Sequence, residues 1–220
     1  MGLPETWDGI EEEVRELFPA IRPRDGVWPL DLETAERRLG QRLPLVLRGL
    51  YLRCGLREDL LHGFEHVFPL NRLATKDGVL IFASENQGVC EWGMHWPPST
   101  DDPPVLRKDF TATPVWEPDH DRLSGFLVWF LLWQAVNGGA PAGANGDADA
   151  SVLEQLTGWR ELDRTGCHWT GVRFFVRPGQ AVCLADPAPF YVSAAARDAD
   201  AFAALDSSLR IDWNYTWPED

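Results

Sequence analysis

His62-Gly63-Phe64-Glu65-His66 carries the densest chemistry in the chain. It fits H-x-x-E-H, the inverted zinc-peptidase pattern, in which two imidazoles one helical turn apart share Zn²⁺ and the neighbouring carboxylate acts as general base. That chemistry needs a helix to bring His62 and His66 to one face, and the surroundings oppose one, because Gly63 lies inside the motif and Pro69 follows it. It also needs a third protein ligand. The apolar stretch from Asp121 to Val136 holds no His, Cys or Glu, which leaves only remote Glu154 or Glu161. A zinc hydrolase using His62, Glu65 and His66 is therefore a remote alternative. The simpler reading places both histidines in a turn just before a short edge strand around Val67-Phe68.

Other reactive side chains are scattered. Cys54, Cys90, Cys167 and Cys183 show no C-x-x-C spacing, which argues against a zinc ribbon or a dithiol redox site and for buried free thiols. Cys167-His168 with His95 or Cys90 is a poor chelating set, because adjacent residues rarely bind one metal. His120, between Asp119 and Asp121, reads as a solvated loop histidine whose protonation could tune binding. No G-x-S-x-G, P-loop or Rossmann glycine pattern occurs, and no cofactor is expected.

Twenty Lys+Arg against 34 Asp+Glu give a net charge of −14, which disfavours contact with a phosphate backbone or an anionic bilayer. Nucleic acid and membrane are thus not expected partners. The acidic run Glu11-Glu12-Glu13 is the reverse of a secretory signal, so a cytoplasmic location is expected. With 45% hydrophobic residues, 220 residues can form one domain with a substantial core.

The elements that must position any site follow from periodicity. Ile10, Val14 and Phe18 share one face of a helix over Trp7 to Phe18. A second helix, capped by Asp31 and stopped by Gly40, buries Leu32, Ala35 and Leu39; a third follows Pro44, turns Leu47, Leu50 and Tyr51 inward and stops at Gly55. Strands are expected at Val79–Ala83, Val89–Trp96, Pro104–Lys108 and Thr113–Glu117, as an antiparallel meander. Asp119 or Asp121 would cap the long buried helix to Val136. Residues 138–149, small and Gly/Ala-rich, read as a flexible internal loop, and 151–220 as late strands (Gly171–Val176, Gln180–Ala185, Phe190–Ala194), a helix from Asp198 to Leu209 and an aromatic tail. The expected fold is α+β: N-terminal helices, a mainly antiparallel twisted sheet, one long buried helix and a C-terminal helix, in a single domain over 1–220.

Three segments carry a family resemblance. Leu39-Gly40-Gln41-Arg42-Leu43-Pro44, followed by Leu47, Leu50, Tyr51 and Gly55, resembles the LG-x-x-LP opening of the SUKH (SMI/KNR-like) superfamily. Asp77-Gly78-Val79-Leu80-Ile81-Phe82-Ala83-Ser84-Glu85-Asn86-Gln87-Gly88-Val89, then Trp92-Gly93, looks like that family's strand-turn-strand centre, and Asp101-Asp102-Pro103-Pro104-Val105 resembles its "DPPV" element. The match is best over 31–136. It implies a non-enzymatic α+β protein of the kind found in fungal cell-wall-synthesis regulators and in bacterial immunity proteins that neutralise a cognate polymorphic toxin, often a basic nuclease.

Charge fits a basic toxin as partner. From Glu85 to Asp121 there are eight carboxylates against Arg107 and Lys108, with Trp92, Trp96 and Trp116 interleaved. Aromatic anchors ringed by acid make a binding hot spot for a basic protein. The partner-binding residues expected on this ground are Trp92, His95, Trp96, Asp101, Asp102, Glu117, Asp119 and Asp121. The competing reading makes each Trp a core residue, the carboxylates solvated loop charges, and Glu85-Asn86-Gln87 a turn bonded to its own backbone. A scaffold for cell-wall synthesis is the alternative function, and oligomeric state is not legible.

Overall fold

The structure, a computed structural model, describes residues 6–169 and 171–218. Helix α1 (Trp7–Val14) opens under Thr6, whose Oγ1 accepts from Gly9 N at 3.5 Å. It stops four residues before Phe18, yet Leu17 and Phe18 still reach the core. Helix α2 (Pro29–Leu39) starts on Pro29 rather than under Asp31, since a proline in the first turn gives up an N–H that no intrahelical acceptor would meet. Gly40 ends it at φ 74°, as expected of a C-terminal glycine. Helices α3 (Leu45–Cys54) and α4 (Glu58–Leu61) complete the N-terminal group.

Six strands follow: β1 (His66–Val67), β2 (Ala74–Lys76), β3 (Val79–Ser84), β4 (Cys90–His95), β5 (Val105–Asp109) and β6 (Trp116–His120). They form one antiparallel sheet in the order β1-β3-β4-β5-β6, with β2 also on β3. The expected meander is therefore present.

Helix α5 (Leu123–Gln134) is buried along its whole length except at half-buried Trp133. Its sequence is apolar on every side, so it requires cover on every side. Phe126 packs on Phe82 and Trp92 of the first sheet, with ring centroids 5.5 and 5.8 Å apart. Trp129 meets Phe174 of a second sheet edge-on at 5.0 Å. The helix ends in one wide turn at 135–139 that contains Asn137-Gly138-Gly139.

The second sheet holds β7 (Ala142–Ala148), β8 (Arg160–Glu161), β9 (Val172–Arg177), β10 (Gln180–Ala185), β11 (Phe190–Ala196) and β12 (Asp212–Trp217), in the order β12-β7-β11-β10-β9-β8. Ala181, Cys183 and Ala195 face the shared core, while Val182, Leu184 and Val192 face a smaller cluster closed by Val152 of α6 (Val152–Gln155) and by Leu205 of α7 (Ala199–Ser208), with Leu209 just beyond. The layers therefore run sheet, helices, sheet, helices, with α5 shared by both sheets. Asp198 caps α7 through Ala201 N at 2.7 Å.

Two expectations fail here. Residues 138–149 are not a flexible loop, because Ala142–Ala148 is an inner strand paired with both β11 and β12. The aromatic tail is the edge strand β12, so with β7 and the two-residue β8 the second sheet carries three more strands than its periodicity suggests. The physical reason is space. A Cβ on Gly143 would collide with the Trp217 ring and the Ala194 carbonyl, and one on Gly146 would lie 2.6 Å from the Asp212 carbonyl. Small residues are what this strand needs, and tertiary context overrides their weak strand preference. Gly143→Ala should consequently cost about 1–3 kcal/mol through overpacking, read as a lower urea midpoint at unchanged m-value. A neutral substitution would show that the strand is not held as described.

Candidate functional site

The eight expected binding residues separate into three groups. Trp92 points into the core, with its ring 5.8 Å from Phe126, 6.1 Å from Phe130 and 6.4 Å from Trp169 by centroid. Asp119 is also buried, and neither residue belongs to a surface. Half-buried Asp102 accepts from Ser124 N at 2.8 Å and from Ser124 Oγ at 2.6 Å, so it ties down the first turn of α5. That role, expected of Asp119 or Asp121, falls to a residue about twenty positions upstream, brought there by the β4–β5 connection. Exposed His95, Asp101, Glu117 and Asp121 remain on the surface with half-buried Trp96, whose indole donates to Leu39 O at 3.3 Å.

Asp119 is inward because β6 bulges. Val105 pairs with His120 but Leu106 pairs with Pro118, so Asp119 is the extra residue and both it and His120 turn into the core. Asp119 Oδ2 lies 2.8 Å from His120 Nδ1, and Trp169 Nε1 donates to both carboxylate oxygens at 3.0 and 3.1 Å. The His120 ring stands edge-on to Phe126 and Trp169. It is a structural pin, not the solvated loop histidine expected. His168 N donating to Asp119 O and Asp121 N to Gly166 O, each at 2.8 Å, join the same strand end to residues 163–169.

The His62–His66 segment does not form a ligand-bearing helix. His62 sits at the C-terminal cap of α4, and His66 opens β1. Between them, buried Gln134 holds the turn: its Oε1 accepts from Phe64 N and Glu65 N, and its Nε2 donates to Glu65 O, all at 2.8 Å. The Glu65 carboxylate accepts from Asn86 N at 2.7 Å and from Trp133 Nε1 at 3.2 Å. Burial pushes its pKa up to about 7, against those two hydrogen bonds and with help from the Glu85 charge. The two imidazoles are neighbours, with centroids 5.6 Å apart. Burial lowers the His62 pKa, with His66 and Arg72 adding to the effect and Glu58 opposing it. Burial likewise raises all four thiols, Cys167 to about 11 and Cys90 to about 12. Among the described residues no three His, Cys, Asp or Glu side chains converge in a way that could hold a metal ion.

What remains is a surface. Cross-strand register puts Val79, Ile81, Gly93, His95, Leu106, Lys108 and Trp116 on the face of the first sheet opposite Trp92; Val79, Ile81, Gly93 and Leu106 are buried there, Lys108 and Trp116 half-buried and His95 exposed. A Cβ on Gly93 would meet Trp116 at 3.3 Å, so the indole lies across that glycine, and Lys108 Nζ sits 5.6 Å from the Trp116 ring centroid. Phe110 and Val115 beside it are 43% and 50% exposed. Half-buried Glu91 lies on this face opposite Lys108, whereas exposed Glu117 pairs with Arg107 on edge strand β6 and stands on the same side of the sheet as Trp92. His95, Asp101 and Asp121 lie towards the opposite end of the same strands, where a cleft of about 360 Å³ opens between Asp121, Gly125, Asp163 and Gly166. Glu85 Oε2 accepts from Gln87 N at 2.8 Å and Val89 N at 3.2 Å, which fixes the β3–β4 turn. Among the described residues no helix is long and apolar enough to cross a membrane. No family model, curated protein or solved structure matches the chain.

Two measurements check the buried groups. Asp119→Ala leaves buried His120 Nδ1 and the half-buried Trp169 indole N–H without their partner and should cost roughly 1–3 kcal/mol in urea unfolding, whereas Asp101→Ala should stay within about 0.5 kcal/mol. Equal effects would contradict the pin. The folded pKa of Glu65, about 7, exceeds its ordinary 4.5, so the native state binds more protons between those values and stability should fall as pH rises from 4.5 to 7. Glu65→Gln should remove that component of the slope, as read from unfolding midpoints across the range.

Proposed function

We propose that this protein acts by binding another protein through the apolar and acidic ends of its first sheet, as the immunity partner that neutralises a basic toxin. The observation that carries the reading is that exposed Phe110 and Val115, in the β5–β6 connection, adjoin half-buried Trp116 at one end of the first sheet, with exposed carboxylates Asp101 and Asp121 at the other. A net charge of −14 favours a cationic partner, both in encounter rate and in orientation. The resemblance to SUKH immunity proteins points the same way, and its central segment folds here as strand β3, a polar turn and strand β4.

The test begins with survival of a host that expresses the product of the gene immediately upstream, with and without this protein. Death alone and rescue together are expected. A harmless neighbour that nevertheless binds would favour the scaffold function, because only immunity requires that the partner kill. With the partner in hand, the triple charge reversal Asp101→Lys/Glu117→Lys/Asp121→Lys should slow association about tenfold or more at low salt, and less at high salt, without altering the fold. Phe110→Ala should act mainly on the dissociation rate. An unchanged association rate in the triple variant would remove this surface from consideration.

A further inference from the structure

His62 and His66 are absorbed neither by the core nor by the proposed binding surface. They stand on two elements of different kind, the end of α4 and the start of β1, and Gln134 fixes the turn between them through three hydrogen bonds. Their ring centroids lie 5.6 Å apart, with planes tilted by 38°. An ion bound to one nitrogen of each ring at about 2.05 Å sits about 3.2 Å from each centroid, which places the two centroids about 5.2–5.5 Å apart for tetrahedral or trigonal geometry. The observed spacing is therefore near that of two imidazoles sharing one ion. His66 Nδ1 is buried and has no hydrogen-bond partner, which is costly for a ring nitrogen unless something fills that role.

We propose that His62 and His66 form a two-imidazole site for a borderline divalent cation, Zn²⁺ or Cu²⁺. Imidazole nitrogen suits these ions, and water fills the remaining coordination positions. Glu58, close enough to act on the His62 charge, supplies a compensating anion, while the Arg72 guanidinium is held 4.3 Å from the centroid of the Phe68 ring. The Glu65 carboxylate is turned to Asn86 and Trp133, so the site binds without the general base of the zinc-peptidase pattern. Bound metal would cross-link the end of α4 to the edge of the first sheet and stabilise the folded chain by mass action.

The full chain, stripped with EDTA and desalted, is titrated with Zn²⁺ against a chromophoric chelator. One equivalent should bind, and both His62→Ala and His66→Ala should weaken it about tenfold or more, with Cys167→Ser and Glu65→Gln leaving it unchanged. Cu²⁺ loaded at one equivalent on the unmodified chain should show superhyperfine coupling to two imidazole nitrogens by electron paramagnetic resonance, a readout that needs no substitution. Absence of stoichiometric binding, binding that survives either histidine substitution, or a copper spectrum without two-nitrogen coupling overturns the proposal.

Discussion

A helix with no polar side has to be enclosed, and the rest of this molecule is arranged to enclose α5. One side takes the aromatic residues of the first sheet, the opposite side takes Phe174 and the small residues of the second, and the N-terminal helices cover part of what is left. Water-side polarity is spent only at the ends. Asp102 holds the first turn from outside, and Gln134 at the last turn gives its amide to the turn before β1. The two sheets therefore do not form separate cores, and the smaller cluster under α6 and α7 is a satellite of the shared one.

Legibility in the sequence followed how local each signal was. Strands such as Gln180–Ala185, and the helix stop at Gly40, depend on alternation and on one residue's backbone freedom, and both lie where local pattern places them. Strand β7 was not legible, because Ala-Gly-Ala-Asn-Gly-Asp-Ala carries none of the branched or aromatic side chains that mark strands. Its composition is explained only by the Trp217 ring and the Ala194 carbonyl packed against it. Asp119 and His120 were missed for a related reason: a bulge reverses the inward–outward alternation, and no residue in Trp-Glu-Pro-Asp-His announces it.

The binding surface was partly legible. Its acidity is a matter of composition, and His95, Trp96, Asp101, Glu117 and Asp121 keep surface positions, while Trp92, Asp102 and Asp119 serve the fold. The exchange is informative about the chemistry of such a face. Carboxylates that hold helices or pair with buried histidine are committed before any partner arrives, so electrostatic attraction falls to the exposed ones, and apolar contact falls to Phe110, Val115 and Trp116 rather than to the tryptophan of β4.

Because α5 is covered from two directions by segments on either side of it in the chain, the order of synthesis becomes a physical variable. When residue 134 leaves the ribosome, the first sheet can already receive Phe126, but the bed for Trp129 includes Phe174, and β10 and β11 follow it. For those tens of residues the most apolar segment of the nascent chain is half clothed. That interval is the protein's period of greatest exposure to misassociation, and a cell making it quickly would rely on holding factors until β11 is in place.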